Sequence, residues 1–99
     1  MAKQDKFTKS ACNQLCQVRV PGVCNHNPET TVLAHINGFR AGGHKALNIH
    51  GAYACFNCHS WLDGGYIQSD VDKKDRDLIH LNAVIRTQII MVEEGILVL

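Results

Sequence analysis

Two close cysteine pairs, Cys16 with Cys24 and Cys55 with Cys58, restrict what this 99-residue chain can fold into more than any other feature. A chain of this length buries only about 60–65% of its unfolded surface, so a metal, disulfides or a partner commonly supply stability that the core cannot. Five cysteines are an odd count, which does not close into disulfides, and the opening "MAKQDKFTKSACNQ" lacks the basic segment, apolar run and cleavage site of a secretory leader. In the cytoplasm that this implies, paired cysteines read as metal ligands. Tetrahedral zinc takes four thiolate or imidazole ligands at about 2.0–2.3 Å, and two short knuckles supply them with little strain. The expectation is one structural Zn²⁺ site built from Cys16, Cys24, Cys55 and Cys58, contributing on the order of 10 kcal/mol of apparent folding energy. Cys12 is left as a spare thiol. The alternatives are buried apolar cysteines, or a redox Cys-x-x-Cys, which no thioredoxin-like βαβ pattern accompanies here.

Length and charge limit the remaining choices. Ninety-nine residues favour one domain, and the longest apolar runs fall short of the ~20 residues that a membrane-spanning helix needs. A formal charge of +1 excludes a basic field over the whole molecule, so any nucleic-acid contact has to be local. Lys3, Lys6 and Lys9 make the N-terminus basic, Arg40, His44 and Lys45 gather among mid-chain glycines, and acidic residues concentrate from Asp70 to Asp77.

Along the chain, residues 1–14 read as an arm or short helix. "CQVRVPGVC" alternates Val18 and Val20 into a Pro21-Gly22 turn that folds Cys16 toward Cys24 as a hairpin or knuckle. "TTVLAHI", residues 30–36, reads as a strand carrying His35, and the glycine-bearing "NGFRAGGHKALNIHG" as a loop leading to a second strand near 48–53. From Cys55 the pattern suits a short helix ended by Gly64-Gly65, with Trp61 and Phe56 on its core face. Asp70 or Asp72 then caps a long helix of about 70–94, with an apolar stripe of Leu78, Leu81, Ile85, Ile89 and Val92 and a stop at Gly95. The tail "ILVL" suits an edge strand or a packing element.

Six histidines invite a second site. On a helix over 55–64, His59 and Asp63 stand at i and i+4 and project from one face. One imidazole, one carboxylate and open positions for water and phosphate suit Mg²⁺ or Mn²⁺. A strand histidine folded beside that helix, His35, is placed to take a proton from water attacking a phosphodiester, and Asn48 to hold the loop or the His35 ring. His26, His44, His50 and His80 read as packed or surface residues, His44 and His50 being the best exceptions.

The ordered set of "LAHI", a glycine-bearing loop and "LNIHGAYACFNCHSWLD" resembles the HNH endonucleases, whose fold is the ββα-metal unit. "CQVRVPGVCNHNPETTVLAHI" is similar to the YbcO-type nucleases encoded by lambdoid prophages. The likeness is close over 12–65 and looser over the C-terminal helix. It implies an α+β fold, a small zinc-braced ββα-metal (HNH/treble-clef-like) domain over 1–99 with a long C-terminal helix. It also implies His35 as general base, Asn48 as the loop asparagine, and His59 and Asp63 as ligands of the catalytic ion. Ala34 stands where many HNH enzymes carry a metal-binding aspartate.

The expected function is a metal-dependent endonuclease cutting DNA, with Arg40, His44 or Lys45 steadying backbone phosphates and a role in phage recombination or repair, alongside phage recombination proteins. The apolar stripe and tail leave room for a homodimer. The rival is a non-catalytic zinc module that binds DNA or a partner protein, in which His35 and Asp63 are incidental.

Overall fold

The computed structural model describes residues 5–36 and 47–99. Arg40, His44 and Lys45, expected on the phosphate-steadying loop, lie outside the described residues. The order of elements is α1 (Lys6–Ser10), β1 (Val32–His35), β2 (Gly51–Ala54), α2 (Phe56–Asp63) and α3 (Lys73–Glu93), with single 3₁₀ turns at Pro28–Thr30, Asn48–His50 and Gly65–Ile67. The architecture is thus α+β, a two-stranded sheet with a long C-terminal helix. Asn48–His50 form a 3₁₀ turn, so the second strand begins at Gly51, three residues later than expected.

β1 and β2 pair antiparallel, with Val32 opposite Ala54 and His35 opposite Gly51. Both faces of the sheet are covered. Ala34, Ala52 and Ala54 join Val18, Val20, Trp61, Leu62, Ala83 and Val84 on one side, while Leu33 and Tyr53 join Ala11 and Met91 on the other. Gly51 is required by its neighbour, since a Cβ there would come within 2.5 Å of the Leu33 side chain.

A two-stranded sheet has two open edges whose N–H and C=O groups need partners when buried. At β2, Tyr53 N–H donates to Thr87 Oγ1 of α3 at 2.9 Å, and Tyr53 C=O accepts from Gln17 N–H at 2.7 Å. Helix α3 also ties backbone carbonyls from other elements. Arg86 donates to Gln17 C=O at 2.6 Å, Gln88 to Ile49 C=O, and His80 Nε2 to Ala34 C=O at 2.8 Å.

The ends of α3 follow ordinary capping chemistry. Asp72 accepts from Asp75 N–H at 2.9 Å as N-cap. At the other end Gly95 adopts φ +74, Gly95 N–H reaches Val92 C=O and Ile96 N–H reaches Met91 C=O, the Schellman pattern that only a left-handed residue completes without strain. Gly95 is the expected stop. The apolar stripe expected on this helix is present but is not its buried face. Leu78, Leu81, Ile85, Ile89 and Val92 are exposed, whereas Arg76, His80, Ala83, Val84, Thr87 and Met91 are buried. The inward face must approach the sheet edge closely and satisfy its backbone, so small and hydrogen-bonding side chains take it. Phe56 is likewise exposed, while Trp61 is buried as expected and donates from Nε1 to Ser69 Oγ at 2.9 Å.

Between Cys16 and Cys24 no strand forms. Pro21 and Gly22 make a turn in which Val23 and Cys24 N–H both reach Val20 C=O at 3.0 Å and Gly22 has φ +76, the geometry of a type II turn. Val18 and Val20 on its near side enter the core. In the tail, Ile96 and Leu97 pack against the Met91 cluster and Val98 and Leu99 stay exposed.

Candidate metal centre and candidate active site

Four cysteines from two distant segments converge. The donor atoms of Cys16, Cys24, Cys55 and Cys58 all lie within 4.8 Å of one another. Cys16, Cys55 and Cys58 are buried, and Cys24 is half-buried. The turn at Pro21-Gly22 brings in Cys24, and the β2-to-α2 junction brings in the other pair, with Cys55 as N-cap of α2 and Cys58 one turn on. Two backbone amides already point at sulfur, Cys58 N–H to Cys55 Sγ at 3.4 Å and Arg19 N–H to Cys16 Sγ at 3.5 Å. Arg19 reaches that position through a left-handed backbone, φ +52.

The donor set fits a tetrahedral ion. With metal–sulfur bonds of about 2.3 Å, the sulfurs of a regular tetrahedron stand about 3.8 Å apart, and Cys55 Sγ lies 3.8 Å from Cys24 Sγ. Without an ion the thiols share protons unevenly. A hydrogen bond from Cys58 lowers the Cys16 thiol to about 4 against the effect of burial, and the same contact, with burial, raises Cys58. Burial also raises Cys24. Such a set could hold a metal such as zinc, the ion replacing the shared protons with four thiolate bonds. Cys12 is exposed, takes a weak contact from Asn13 and stands outside the cluster.

A second group lies at the open end of the sheet. His35 closes β1, is exposed, and its Nε2 stands 2.6 Å from Asn48 Oδ1. The Asn48 amide nitrogen donates to Asp5 Oδ2. Asp5 is also the N-cap of α1, and its bond from Thr8 N–H, helped by Asn48, holds its carboxyl below the ordinary value. An ionised carboxylate only accepts, so it fixes which end of the Asn48 amide faces it, and Asn48 must offer oxygen to His35. In a neutral ring this contact selects the Nε2–H tautomer, whose acceptor lone pair is on Nδ1. Sequence reasoning paired Asn48 with His35 but missed Asp5, 43 residues from Asn48 and signalled only by its helix-capping position.

On α2, His59 Nε2 and Asp63 Oδ2 face each other at 3.4 Å, one turn apart, with side chains 40% and 57% exposed. The half-exposed pair leaves room for further ligands. Among the described residues, no third metal-capable side chain joins it at the spacing the cysteines show. Ala34, preceding His35, is 2% exposed and faces the core, and its carbonyl is held by His80. His80 itself is buried, with Nδ1 unpartnered, and burial lowers its pKa.

A β-hairpin followed by a helix, with a four-cysteine cluster that could hold a metal at their junction and a polar histidine at the strand end, defines a small α+β protein. Comparison with known proteins then narrows the class. Residues 5–96 match the family described as "Putative nuclease YbcO", and the chain belongs to that family. It is 38% identical over 98 residues to "Putative nuclease YbcO" of Escherichia coli K12, covering 90% of this chain and 93% of that one, and stands equally close to the protein of that name from Enterobacteria phage 82. A solved structure titled as a putative bacteriophage protein from Escherichia coli K-12 MG1655 superposes with TM-score 0.73 at 39% identity, over 90% of this chain and 99% of that one. No helix among the described residues is long and apolar enough to cross a membrane.

Proposed function

We propose that this chain is a metal-dependent endonuclease of the HNH type that hydrolyses DNA phosphodiester bonds. The observation that carries the reading is the Asp5–Asn48–His35 chain, because it orients a strand-end imidazole as a base. The β1–β2–α2 order, the His59–Asp63 pair and the nuclease name of the relatives agree with it.

In this reading a water molecule gives its proton to His35 Nδ1 as its oxygen bonds to phosphorus and the phosphorus–oxygen bond to the leaving group breaks. Asn48 Oδ1 accepts from Nε2–H and steadies the imidazolium that forms, while Asp5 keeps Asn48 from turning. His59 Nε2 and Asp63 Oδ2 would hold Mg²⁺ or Mn²⁺, which supplies charge stabilisation for the leaving oxygen. Arg40, His44 and Lys45 are assigned to phosphate positioning. The cysteine-bound Zn²⁺ is structural and keeps the β2–α2 junction in register with the Cys16–Cys24 turn.

The test is nicking of supercoiled plasmid by chelator-free protein with added Mg²⁺ or Mn²⁺. Ion-dependent nicking lost in His35→Ala, with bound zinc equal in both proteins, is the expected result. One observation favours a second reading, a non-catalytic zinc module binding DNA or a partner protein. Ala34 is turned into the core, so the His59–Asp63 pair gains no carboxylate from that position. Equal zinc content with no cleavage of plasmid or branched DNA by either protein would select it.

A further inference from the structure

The outer face of α3 is apolar and has no partner within the described chain. Leu78, Leu81, Ile85, Ile89 and Val92 are 56, 44, 49, 54 and 39% exposed. A groove of about 370 Å³ runs beside them, lined by Ile85, Ile89, Val92, Leu97 and Leu99. At ~100° per residue all five stripe positions fall within about 40° of Ile85 on the helix surface, so they form one straight strip.

The spacing of the strip is palindromic. Leu78 and Val92 are seven residues on either side of Ile85, and Leu81 and Ile89 are four on either side. A two-fold axis through Ile85, perpendicular to α3, therefore sets Leu78 against Val92, Leu81 against Ile89 and Ile85 against itself, the self-complementary pattern of an isologous contact. Nothing in packing α3 on its own sheet calls for that symmetry, since the buried face is on the other side.

Charge selects the same arrangement. Lys74 extends the strip at the N-terminal end of α3, and Glu93 borders the groove at the C-terminal end. An antiparallel pair brings Lys74 toward the partner's helix C-terminus and Glu93, and opposes the two helix dipoles. A parallel pair would set Lys74 against Lys74 and Glu93 against Glu93. Asp77, which the same axis carries toward Glu93, already has Arg76 at 2.7 Å. Asn82 meets Gln88 across the axis, a neutral amide pair. We propose that a second copy of this chain covers this face, forming a two-fold dimer through antiparallel α3 helices centred on Ile85.

The test uses the full chain in its zinc-bound form. Light scattering coupled to gel filtration at high-micromolar concentration is expected to give twice the 11.0 kDa chain mass. Ile85→Glu, which sets two carboxylates face to face on the axis, is expected to give the single-chain mass with unchanged helicity and zinc content. A single-chain mass for the wild type, or a dimer that survives Ile85→Glu, overturns the proposal. Orientation is read in a Cys12→Ser background, where Leu78→Cys mixed with Val92→Cys is expected to cross-link under mild oxidation and Leu78→Cys alone is not. Cross-linking of Leu78→Cys to itself would instead show a parallel pair and overturn the two-fold axis. Should Ile85→Glu lose zinc or helicity, the cross-linking result decides.

Discussion

Thr87→Val separates two forces that act on one atom. Thr87 is wholly buried on α3, and its hydroxyl is the acceptor for Tyr53 N–H on the outer edge of β2. Valine has nearly the same shape and replaces the hydroxyl with a methyl, which hydrophobic transfer alone would favour by up to about 0.8 kcal/mol. Against that, a buried amide left without its acceptor costs about 1–3 kcal/mol. The hydrogen bond wins, and the net loss is about 1–2 kcal/mol. For a domain of this size about 1 kcal/mol moves the melting temperature by about 4–8 °C, so the variant should melt about 5–15 °C lower. Thr87→Ser keeps the acceptor and loses only a methyl, so it separates the two effects at the Tyr53 amide itself. Thermal melts by circular dichroism and amide exchange by NMR provide the check. Tyr53 N–H should exchange faster in the valine variant and stay protected in the serine one. A Thr87→Val protein that melts at or above wild type with a slow Tyr53 amide would refute the reasoning.

Other consequences can be checked alongside. Elemental analysis should find one tightly bound zinc per chain in wild type and in Cys12→Ser, and none in Cys58→Ser, whose melt should also be markedly lower. Asp5→Asn keeps a good N-cap on α1 but lets the Asn48 amide turn. Nicking should therefore fall about tenfold, less than the ~100-fold or greater loss expected for His35→Ala, with zinc and melting temperature unchanged and a shifted pH–rate profile as the sign of positioning. His80 has a lowered pKa because it is buried, with Arg76 acting in the same direction and Ala34 C=O, Asp63 and Asp77 opposing. Since the unfolded chain takes up that proton first, stability should be full above the ordinary histidine range and decline as pH falls through it toward the lowered value. Denaturant melts of wild type against His80→Gln should show the acid-side slope reduced in the variant.

The cysteine site was legible because spacing and chemistry agree at short range, two knuckles needing only local turns at Pro21-Gly22 and at the start of α2. The caps of α3 at Asp72 and Gly95 were legible for the same reason. Asp5 was not, because its role rests on a contact with Asn48 that no local pattern encodes. The face of α3 that packs on the sheet was not legible for a different reason. Periodicity reports that a helix has an apolar face, not which neighbour covers it. This helix has two candidate faces. The one against the sheet is built from Ala83, Thr87 and His80, whose value lies in small size and hydrogen bonding, properties that an apolar count passes over.

That division of labour bears on the site itself. His80 on the inner face of α3 holds Ala34 C=O, one residue before His35, while Thr87 and Gln88 hold the backbone at Tyr53 and Ile49, on either side of Gly51, the residue opposite His35. The strand end that carries the imidazole is thus braced both by α3 and by Asn48 and Asp5. A helix whose inner face is committed to hydrogen bonds with strand backbone cannot rotate to bury Leu81, Ile85 and Ile89 without orphaning those bonds. Each orphaned buried group would cost about 1–3 kcal/mol, more than the transfer of one half-exposed leucine returns. Its large apolar side chains therefore stay outward, and the cheapest way to remove them from water is another surface rather than this chain's own core.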